Sequence, residues 1–251
     1  MKRPCSPYTP FVCLFALLLT AAVATPVRAQ KAPAAAKSVT TVSVKKNLNK
    51  LPVVRISDAG RQSDYFAVLL SGDGGWSKFD QRLCEHLAAN GLPVLGLNSL
   101  KYIRKTKTPE QLTADLKRMM AKGEADFGNR GVILIGYSCG ANLIPFAYNR
   151  LEDSLKQKVQ NIVLLSPEDK ADFRFHWYNW LNRNSPKVRL VRPEIEHLSE
   201  IPVLVIYGDR EKYDWCADLL QDRFSKKILP GGHHYGWNEW AVASEILRFK
   251  G

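Results

Sequence analysis

Short apolar runs alternate with stretches of helical spacing from Leu51 to the end of the chain. Runs that are apolar at nearly every position predict strands covered on both faces, as in a parallel sheet flanked by helices. The predicted strands are residues 65–70, 93–97, 132–135, 162–165 and 202–207. Right-handed crossovers between them predict one α/β domain over residues 51–251, with a mostly parallel, doubly wound sheet.

The segments between these runs carry helix signals. Residues 79–90 and 237–249 have apolar positions at helical spacing and predict helices. Thr108 is an expected N-cap, because a proline follows it and Gln111 completes a capping box.

Residues 136–140 read Gly-Tyr-Ser-Cys-Gly, directly between a predicted strand and a helix that begins near Ala141. A G-x-S-x-G motif in that context predicts a nucleophile elbow, the sharp turn that presents the catalytic serine of α/β-hydrolases. Ser138 is therefore the candidate nucleophile. The start of the following helix favours the negative charge that develops during ester cleavage.

An acid and a histidine should follow the serine in that order. Hydrolases of this architecture often place the acid three residues after the glycine that ends a late strand, and Gly208 makes that residue Glu211. Asp209 is the alternative, whereas Asp214 is more typical of a helix cap for a segment extending to residue 223.

Residues 229–235 read Leu-Pro-Gly-Gly-His-His-Tyr, a turn that can return a histidine to the nucleophile. We expect His233 to be the base, with His234 as the alternative. Adjacent histidines rarely chelate one ion and no carboxylate cluster accompanies them, so no metal site and no cofactor are predicted.

The oxyanion of the tetrahedral intermediate needs backbone N–H donors. We expect one from Cys139 and a second from Asp73 or Gly74, in the loop 71–75 after the first predicted strand. That loop lacks the Gly-Lys-Ser/Thr ending of a phosphate-binding loop, which argues against nucleotide binding.

Several segments together resemble the VirJ/AcvB family of exported bacterial virulence-type proteins with an α/β-hydrolase domain. The similarity runs from about Tyr65 to the C-terminus. The segments are SGDGGW at 71–76, TPEQ at 108–111, GYSxGA at 136–141 with Pro145, and LPGGHH at 229–234.

The resemblance implies a periplasmic serine hydrolase. Relatives of the AcvB type remove the aminoacyl group from aminoacylated phosphatidylglycerol, such as lysyl-phosphatidylglycerol, whereas short VirJ-type members are linked with type IV secretion. This chain resembles the short form. The family usually has acids where Asn98 and Asn142 stand here, which suggests a less cationic substrate if those acids bind a lysyl group.

The first 29 residues read as a signal peptide. A basic start precedes an apolar run over residues 11–24, about fourteen residues, whereas a membrane span needs about 20. We expect cleavage after Ala29, export to the periplasm, and a flexible or weakly ordered lead-in over residues 30–50.

The chain has 36 Lys and Arg against 24 Asp and Glu, a formal charge of +12. A basic cluster after the second predicted strand could contact an anionic phospholipid surface, or could be a solvated loop. Its members are Lys101, Arg104, Lys105 and Lys107. No nucleic-acid-reading motif is present, and nucleic acid is not an expected partner.

Two further expectations concern the rest of the chain. An oxidising compartment permits a Cys84–Cys216 disulfide, with Cys139 free. A small cap insertion is expected after residue 165, where aromatics either line an acyl or lipid pocket or, as we favour, pack the cap onto the body. They are Phe173, Phe175, Trp177, Tyr178 and Trp180.

Two functions of different classes follow. The first is a secreted esterase whose preferred substrate, implied by the resemblance, is the aminoacyl ester of aminoacyl-phosphatidylglycerol. The second is a non-catalytic adaptor or binding protein of a secretion system, which keeps the hydrolase fold as a scaffold. An intact elbow followed by an acid and a histidine favours the esterase.

Overall fold

The protein's structure is a computed structural model. It describes residues 51–58, 64–128, 131–174, 188–198, 200–211 and 224–249, together with the backbone of 39–44. All of these residues belong to one compact unit.

An eight-stranded sheet has the order β1-β2-β4-β3-β5-β6-β9-β10. The six strands from β4 to β10 along this order are parallel, while β1 and β2 are antiparallel to their neighbours. The strands are β1 (Val39–Val44), β2 (Val53–Asp58), β3 (Tyr65–Leu70), β4 (Val94–Leu97), β5 (Gly131–Tyr137), β6 (Val159–Leu165), β9 (Val203–Gly208) and β10 (Ser225–Leu229).

Helices cover both faces of this sheet. The helices are α1 (Lys78–Ala89), α2 (Ser99–Ile103), α3 (Pro109–Phe127), α4 (Cys139–Asn149), α5 (Asp153–Lys156), α6 (Arg192–Glu196) and α7 (Glu239–Arg248). Alternate residues of β3 divide between the two cores: Phe66 and Val68 belong to the core under α3 and α4, and Leu69 to the core under α1 and α7. Burial on both faces is the reason the central strands are apolar throughout.

The five strands predicted from apolar runs all form, and each observed strand lies within a few residues of its expected bounds. The helix predicted over residues 79–90 is α1, and the capping box of Thr108 and Gln111 is present at the start of α3. The closing helix begins at Glu239 rather than at residue 237, because Asn238 is its N-cap. The helix expected from Asp214 to residue 223 lies outside the described residues.

Within the expected lead-in over residues 30–50, the part that the structure describes forms a strand, β1, rather than a flexible segment. Val39–Val44 pairs with β2 in antiparallel register along its whole length. The sequence there is Val-Thr-Thr-Val-Ser-Val, and β-branched residues of this kind favour a strand. The strand lies at the edge of the sheet, where one partner is enough. The predicted signal peptide over residues 1–29 lies outside the described residues.

The chain between β6 and β9 contains the expected insertion. It includes a two-stranded antiparallel sheet, β7 (Lys170–Ala171) with β8 (Arg189–Leu190), followed by α6. Phe173 is buried and makes an edge-on contact with Phe146 of α4 at 5.2 Å between ring centroids, so this aromatic packs the insertion onto the body. The other four aromatics of the predicted cap, Phe175, Trp177, Tyr178 and Trp180, lie outside the described residues.

Within the described ranges, none of the helices combines the length and the apolar composition that crossing a bilayer requires.

Candidate functional site

Ser138 lies in a sharp turn between the last residue of β5 and the first residue of α4. Its φ of 51° and ψ of −117° are strained for a residue with a side chain. The flanking glycines make the turn possible, because a Cβ on Gly140 would lie 2.1 Å from the carbonyl oxygen of Leu70 and one on Gly136 would lie 2.5 Å from Ala141. The predicted nucleophile elbow is therefore present.

The loop from Ser71 to Gly75 lies beside Ser138. A Cβ on Gly72 would be 3.4 Å from the Cβ of Ser138. The backbone N–H of Gly75 donates to Gly72 O at 3.1 Å, but those of Asp73 and Gly74 donate to no group that the structure describes. Together with the first N–H of α4, at Cys139, they are the candidate oxyanion donors. Their role toward an oxyanion stays a prediction.

Glu211, rather than Asp209, contacts His233. The Nδ1 atom of His233 lies 3.1 Å from Oε2 of Glu211. Asp209 instead accepts a hydrogen bond from the backbone N–H of Gly231 at 2.8 Å and forms an ion pair with Arg210 at 3.8 Å. Asp209 thus fixes the start of the turn that contains the histidines, and Glu211 is placed to orient the imidazole.

Two further groups bind the other oxygen of Glu211, and the sequence did not reveal them. Oε1 of Glu211 accepts from the Ser166 hydroxyl at 2.6 Å and from the backbone N–H of Gly208 at 2.7 Å. The Ser166 oxygen also lies 2.6 Å from the hydroxyl of Tyr235. The available signal was positional: Ser166 directly follows β6, at the sheet edge where ligands bind in parallel α/β proteins.

These contacts move the pKa values of the pair in opposite directions. Burial alone would raise the pKa of Glu211, but hydrogen bonds from His233, Ser166 and Gly208 outweigh it and lower that pKa. Burial alone would lower the pKa of His233, but the hydrogen bond and charge of Glu211, with smaller effects of Glu168 and Asp73, raise it. Protonated His233 is therefore favoured more than an ordinary imidazolium.

His234 points to different partners. Its Nδ1 contacts the hydroxyl of Tyr137, and its ring stacks on Trp237 at 4.5 Å between centroids. Burial and then the charge of His233 lower the pKa of His234. The Tyr137 hydroxyl also lies 3.2 Å from the backbone oxygen of His233, so this tyrosine ties the elbow to the histidine turn.

Ser138 and His233 both lie at the carboxyl edge of the sheet. The ring of Tyr137, the residue before Ser138, is 5.5 Å from the imidazole of His233 between centroids. The structure records no hydrogen bond between the Ser138 hydroxyl and His233 among its described residues. Catalytic hydrogen bonds are often long before substrate binds, so the pairing of Ser138 with His233 stays a prediction.

Residues 64–249 match a family model described as bacterial virulence protein (VirJ). The chain belongs to the VirJ family. The expected family resemblance is thereby confirmed over most of the chain. No curated protein gives a significant match in sequence.

Solved structures similar to this VirJ-family chain share its fold at low sequence identity. A cold-adapted esterase from an Arctic intertidal metagenomic library has a TM-score of 0.58 at 15% identity, covering 84% of this chain and 94% of the other. A dienelactone hydrolase from Anabaena variabilis has 0.59 at 17%, covering 83% and 95%. The thioesterase domain of the curacin biosynthetic pathway has 0.54 at 15%, covering 83% and 98%. The predicted α/β-hydrolase fold is confirmed.

The two asparagines that depart from the usual VirJ-family acids have structural contacts. Asn142 is buried, and its amide donates to Lys170 O at 3.1 Å and accepts from the backbone N–H of Glu168 at 2.7 Å. Asn98 is the N-cap of α2 and accepts from the backbone N–H of Lys101 at 3.0 Å. Neither amide needs a substrate to explain it, so these positions give no support to a less cationic substrate.

The predicted basic cluster contains three exposed cations rather than four. Lys101, Arg104 and Lys105 are exposed on α2 and the loop after it, at the carboxyl end of β4. Lys107 is partly buried, because its amine lies 3.6 Å from a carboxylate oxygen of Asp115 and over the ring of Tyr102. Lys107 therefore has partners within the protein and is less available to an anionic surface.

The surroundings of the two described cysteines, Cys84 and Cys139, disfavour the thiolate form. Burial raises the pKa of the Cys139 thiol, which disfavours the thiolate that would be needed for redox chemistry or nucleophilic attack. Cys84 is a free thiol, fully buried in α1, and burial raises its pKa as well. Cys216, its expected disulfide partner, lies outside the described residues.

Proposed function

We propose that this protein is a serine hydrolase that cleaves an ester through an acyl-enzyme. Ser138 is the nucleophile, His233 the base and then the acid, and Glu211 the residue that orients His233. The observation that carries the proposal is the His233–Glu211 contact of 3.1 Å at the sheet edge that also presents the strained Ser138. Fold similarity to esterases is consistent with this chemistry.

The reaction proceeds in two halves. The hydroxyl of Ser138 attacks the ester carbonyl while His233 takes its proton, and Glu211 stabilises the imidazolium that results. The oxyanion accepts hydrogen bonds from the N–H of Cys139 and that of Asp73 or Gly74. The C–O bond to the leaving alcohol then breaks, and His233 gives that alcohol its proton. Water then attacks the acyl carbon while His233 takes its proton, the bond to the Ser138 oxygen breaks, the carboxylic acid product leaves, and His233 returns the proton to Ser138.

The proposed substrate is the aminoacyl ester of aminoacyl-phosphatidylglycerol. The family resemblance supplies this class of substrate, and the charges near the site support it. Asp73 is exposed in the loop beside Ser138, and its carboxylate influences His233, Cys139 and Tyr137. A carboxylate at this position attracts the protonated amine of an aminoacyl group.

The lipid would reach the site from an anionic membrane surface in the periplasm. Lys101, Arg104 and Lys105 are exposed at the same edge of the sheet as the elbow. Each basic residue near an anionic surface contributes up to about 1 kcal/mol of attraction. These three side chains are therefore suited to keep the protein at the surface that contains the substrate.

A fluorophosphonate probe tests the proposal, because it reacts only with an activated serine. The intact wild-type protein should be labelled at Ser138 and should release free amino acid from vesicles that contain lysyl-phosphatidylglycerol. A deletion strain should accumulate aminoacyl-phosphatidylglycerol in lipid extracts. A wild-type protein that is inert to the probe would contradict the enzyme and favour a secretion-system adaptor.

The triad acid is tested by paired substitutions. Glu211→Ala should lower kcat by about 10⁴-fold, because His233 loses the carboxylate that fixes its tautomer and stabilises its charge. Asp209→Ala should cause a much smaller decrease, since among the described residues the Asp209 carboxylate contacts the Gly231 backbone N–H and Arg210 and not His233. Steady-state kinetics on one ester substrate checks the ranking, and the reverse order would assign the acid to Asp209.

The contribution of Asp73 to specificity is measured as a ratio. Asp73→Asn should lower kcat/KM for a lysyl ester, relative to its N-acetylated counterpart, by about fivefold, the size of a solvent-exposed ion pair of about 1 kcal/mol. Asp153→Asn is the matched control, because it removes an exposed acid from α5, which precedes β6 at the other end of the strands. An unchanged ratio in Asp73→Asn would exclude this carboxylate from amine recognition.

A further inference from the structure

We propose that Ser166 and Tyr235 are positioning residues, which form a hydrogen-bond chain that holds the carboxylate of Glu211 with one oxygen directed at His233. This inference rests on the proposed function, because it concerns the same acid. The three side chains come from separate places in the sequence: Ser166 follows β6, Glu211 lies in the loop after β9, and Tyr235 directly follows the two histidines.

The two oxygens of Glu211 have separate tasks. Oε1 accepts from the Ser166 hydroxyl at 2.6 Å and from the backbone N–H of Gly208 at 2.7 Å. Oε2 is then directed at Nδ1 of His233, at 3.1 Å. With Oε1 bound by two donors, the carboxylate has little freedom to rotate away from the imidazole.

Counting hydrogens fixes the direction of the chain. Ser166 and Tyr235 have one hydroxyl hydrogen each, and an ionised carboxylate can only accept. Ser166 therefore donates to Glu211 and must accept from Tyr235, whose oxygen lies 2.6 Å away. The Tyr235 hydroxyl also lies 3.0 Å from Ile206 O, an alternative acceptor for its one hydrogen, but donation there would leave the 2.6 Å contact between the Ser166 and Tyr235 oxygens without a hydrogen.

The contact between the Tyr235 hydroxyl and Ile206 O becomes a hydrogen bond when Glu211 is neutral. A protonated Glu211 would donate to Ser166, Ser166 would donate to Tyr235, and Tyr235 would donate to Ile206 O. The same four groups can thus satisfy every hydrogen in either charge state of the acid. In the ionised state, all donation runs toward the carboxylate, which is the direction that the triad requires.

Backbone strain is a second observation on the same two residues. Ser166 has a φ of 48° and Tyr235 a φ of 52°, in the left-handed region that glycine adopts without strain. Both residues are almost completely buried, and the Tyr235 ring packs on Phe79 at 5.9 Å between centroids. Side chains with hydroxyls stand where glycine would be easier for the backbone, which indicates that the hydroxyls are the reason.

The surroundings contain other ionisable groups that act on this pair. The charges of Glu168 and Asp73 help raise the pKa of His233, and the charge of His233 helps lower the pKa of His234. The charges of Glu211 and Tyr137 add to the effect of burial, which raises the pKa of Tyr235. Ser166 and Gly208 are the groups that donate to Oε1 of Glu211, so removing the Ser166 hydroxyl is the change that most directly frees the carboxylate.

The test uses Ser166→Gly, Ser166→Ala and Tyr235→Phe in the intact protein. Ser166→Gly removes the hydroxyl and also relieves the strain, so a loss of function in this variant is not a loss of fold. For both Ser166 variants we expect kcat to fall by about 10²-fold with KM unchanged, because a misdirected acid affects the reaction and not substrate binding. Tyr235→Phe should give a smaller decrease in the same direction.

The pH dependence separates positioning from simple destabilisation. In all three variants the pKa of His233, measured by NMR titration of its imidazole, should fall toward the ordinary value, because Glu211 no longer faces Nδ1. Tyr102→Phe is the control, since it removes a buried hydroxyl bonded to Asp115 at 2.7 Å and should leave the His233 titration unchanged.

The outcomes are distinct from those of the proposed function. The NMR titration needs no turnover, so it reports on the hydrogen bonds from Tyr235 through Ser166 to Glu211 even if the protein hydrolyses no ester. A His233 pKa that is unchanged or raised in Ser166→Gly would overturn the positioning role. If the wild-type protein has no esterase activity but Ser166→Gly still lowers the pKa of His233, the hydrogen-bond chain is retained and only the proposed enzyme activity is rejected.

Discussion

Ser138→Ala is expected to lower kcat for ester hydrolysis by about 10⁶-fold, the loss typical of removing the nucleophile from a serine triad. The substitution removes the only atom that can form the acyl-enzyme in the proposed mechanism, and the alanine side chain occupies less space in the turn. Steady-state kinetics measures the decrease, and labelling by a fluorophosphonate probe should disappear with it.

A second serine provides the matched control for this prediction. Ser99 is fully buried, and its hydroxyl has no hydrogen-bond partner within the part of the chain that the structure describes. Ser99→Ala should therefore keep both turnover and labelling close to those of the wild type. Continued labelling of Ser138→Ala would show that the probe reacts at another residue, and the assignment of the nucleophile would be wrong.

His233→Ala is expected to reduce kcat about as much as Ser138→Ala, because serine and histidine act as one unit in such sites. His234→Ala is the matched variant one residue away. His234 contacts Tyr137 and Trp237 rather than Glu211, so its loss should cost far less activity. Equal losses in the two variants would contradict the assignment of the base to His233.

The pH dependence of the wild type adds a test of the same residue. His233 must be neutral to accept the proton of Ser138, so kcat/KM should rise with pH as His233 deprotonates. Glu211 raises the pKa of His233, which places the midpoint of this rise above about 6.5, the ordinary value for histidine. A midpoint below that value would mean that another group controls the rate.

The sequence predicted the central part of the sheet because the signal there is strong. Strands β3, β4, β5, β6 and β9 are covered by helices on both faces, and such strands must be apolar throughout. The edge strands gave weaker signals. β10 reads Ser-Lys-Lys-Ile-Leu, because a strand with one neighbour and an exposed face tolerates lysines that a central strand would exclude.

Some residues of the candidate site could likewise be proposed from the sequence, and others could not. Ser138, Glu211 and His233 could be proposed from the sequence, with Asp209 and His234 as alternatives, because each stands close to a glycine turn or strand end. Ser166 and Tyr235 are not, since an isolated serine or tyrosine at the end of an element has no distinctive pattern. Asn98 and Asn142 stand where the family resemblance implies acids, and both amides have hydrogen-bond partners within the protein, so the expectation of a less cationic substrate stays a prediction.

Local order along the chain was therefore enough to predict this protein's fold class and family, and to propose a candidate serine, acid and histidine in that order. These features depend on neighbouring residues: the apolar periods of strands and helices, and the glycines that allow sharp turns. The choice of Glu211 over Asp209, the hydrogen-bond chain through Ser166 and Tyr235, and the internal pairing of Lys107 depended on the tertiary structure. Each joins side chains far apart in sequence, whose distance only the packed sheet determines.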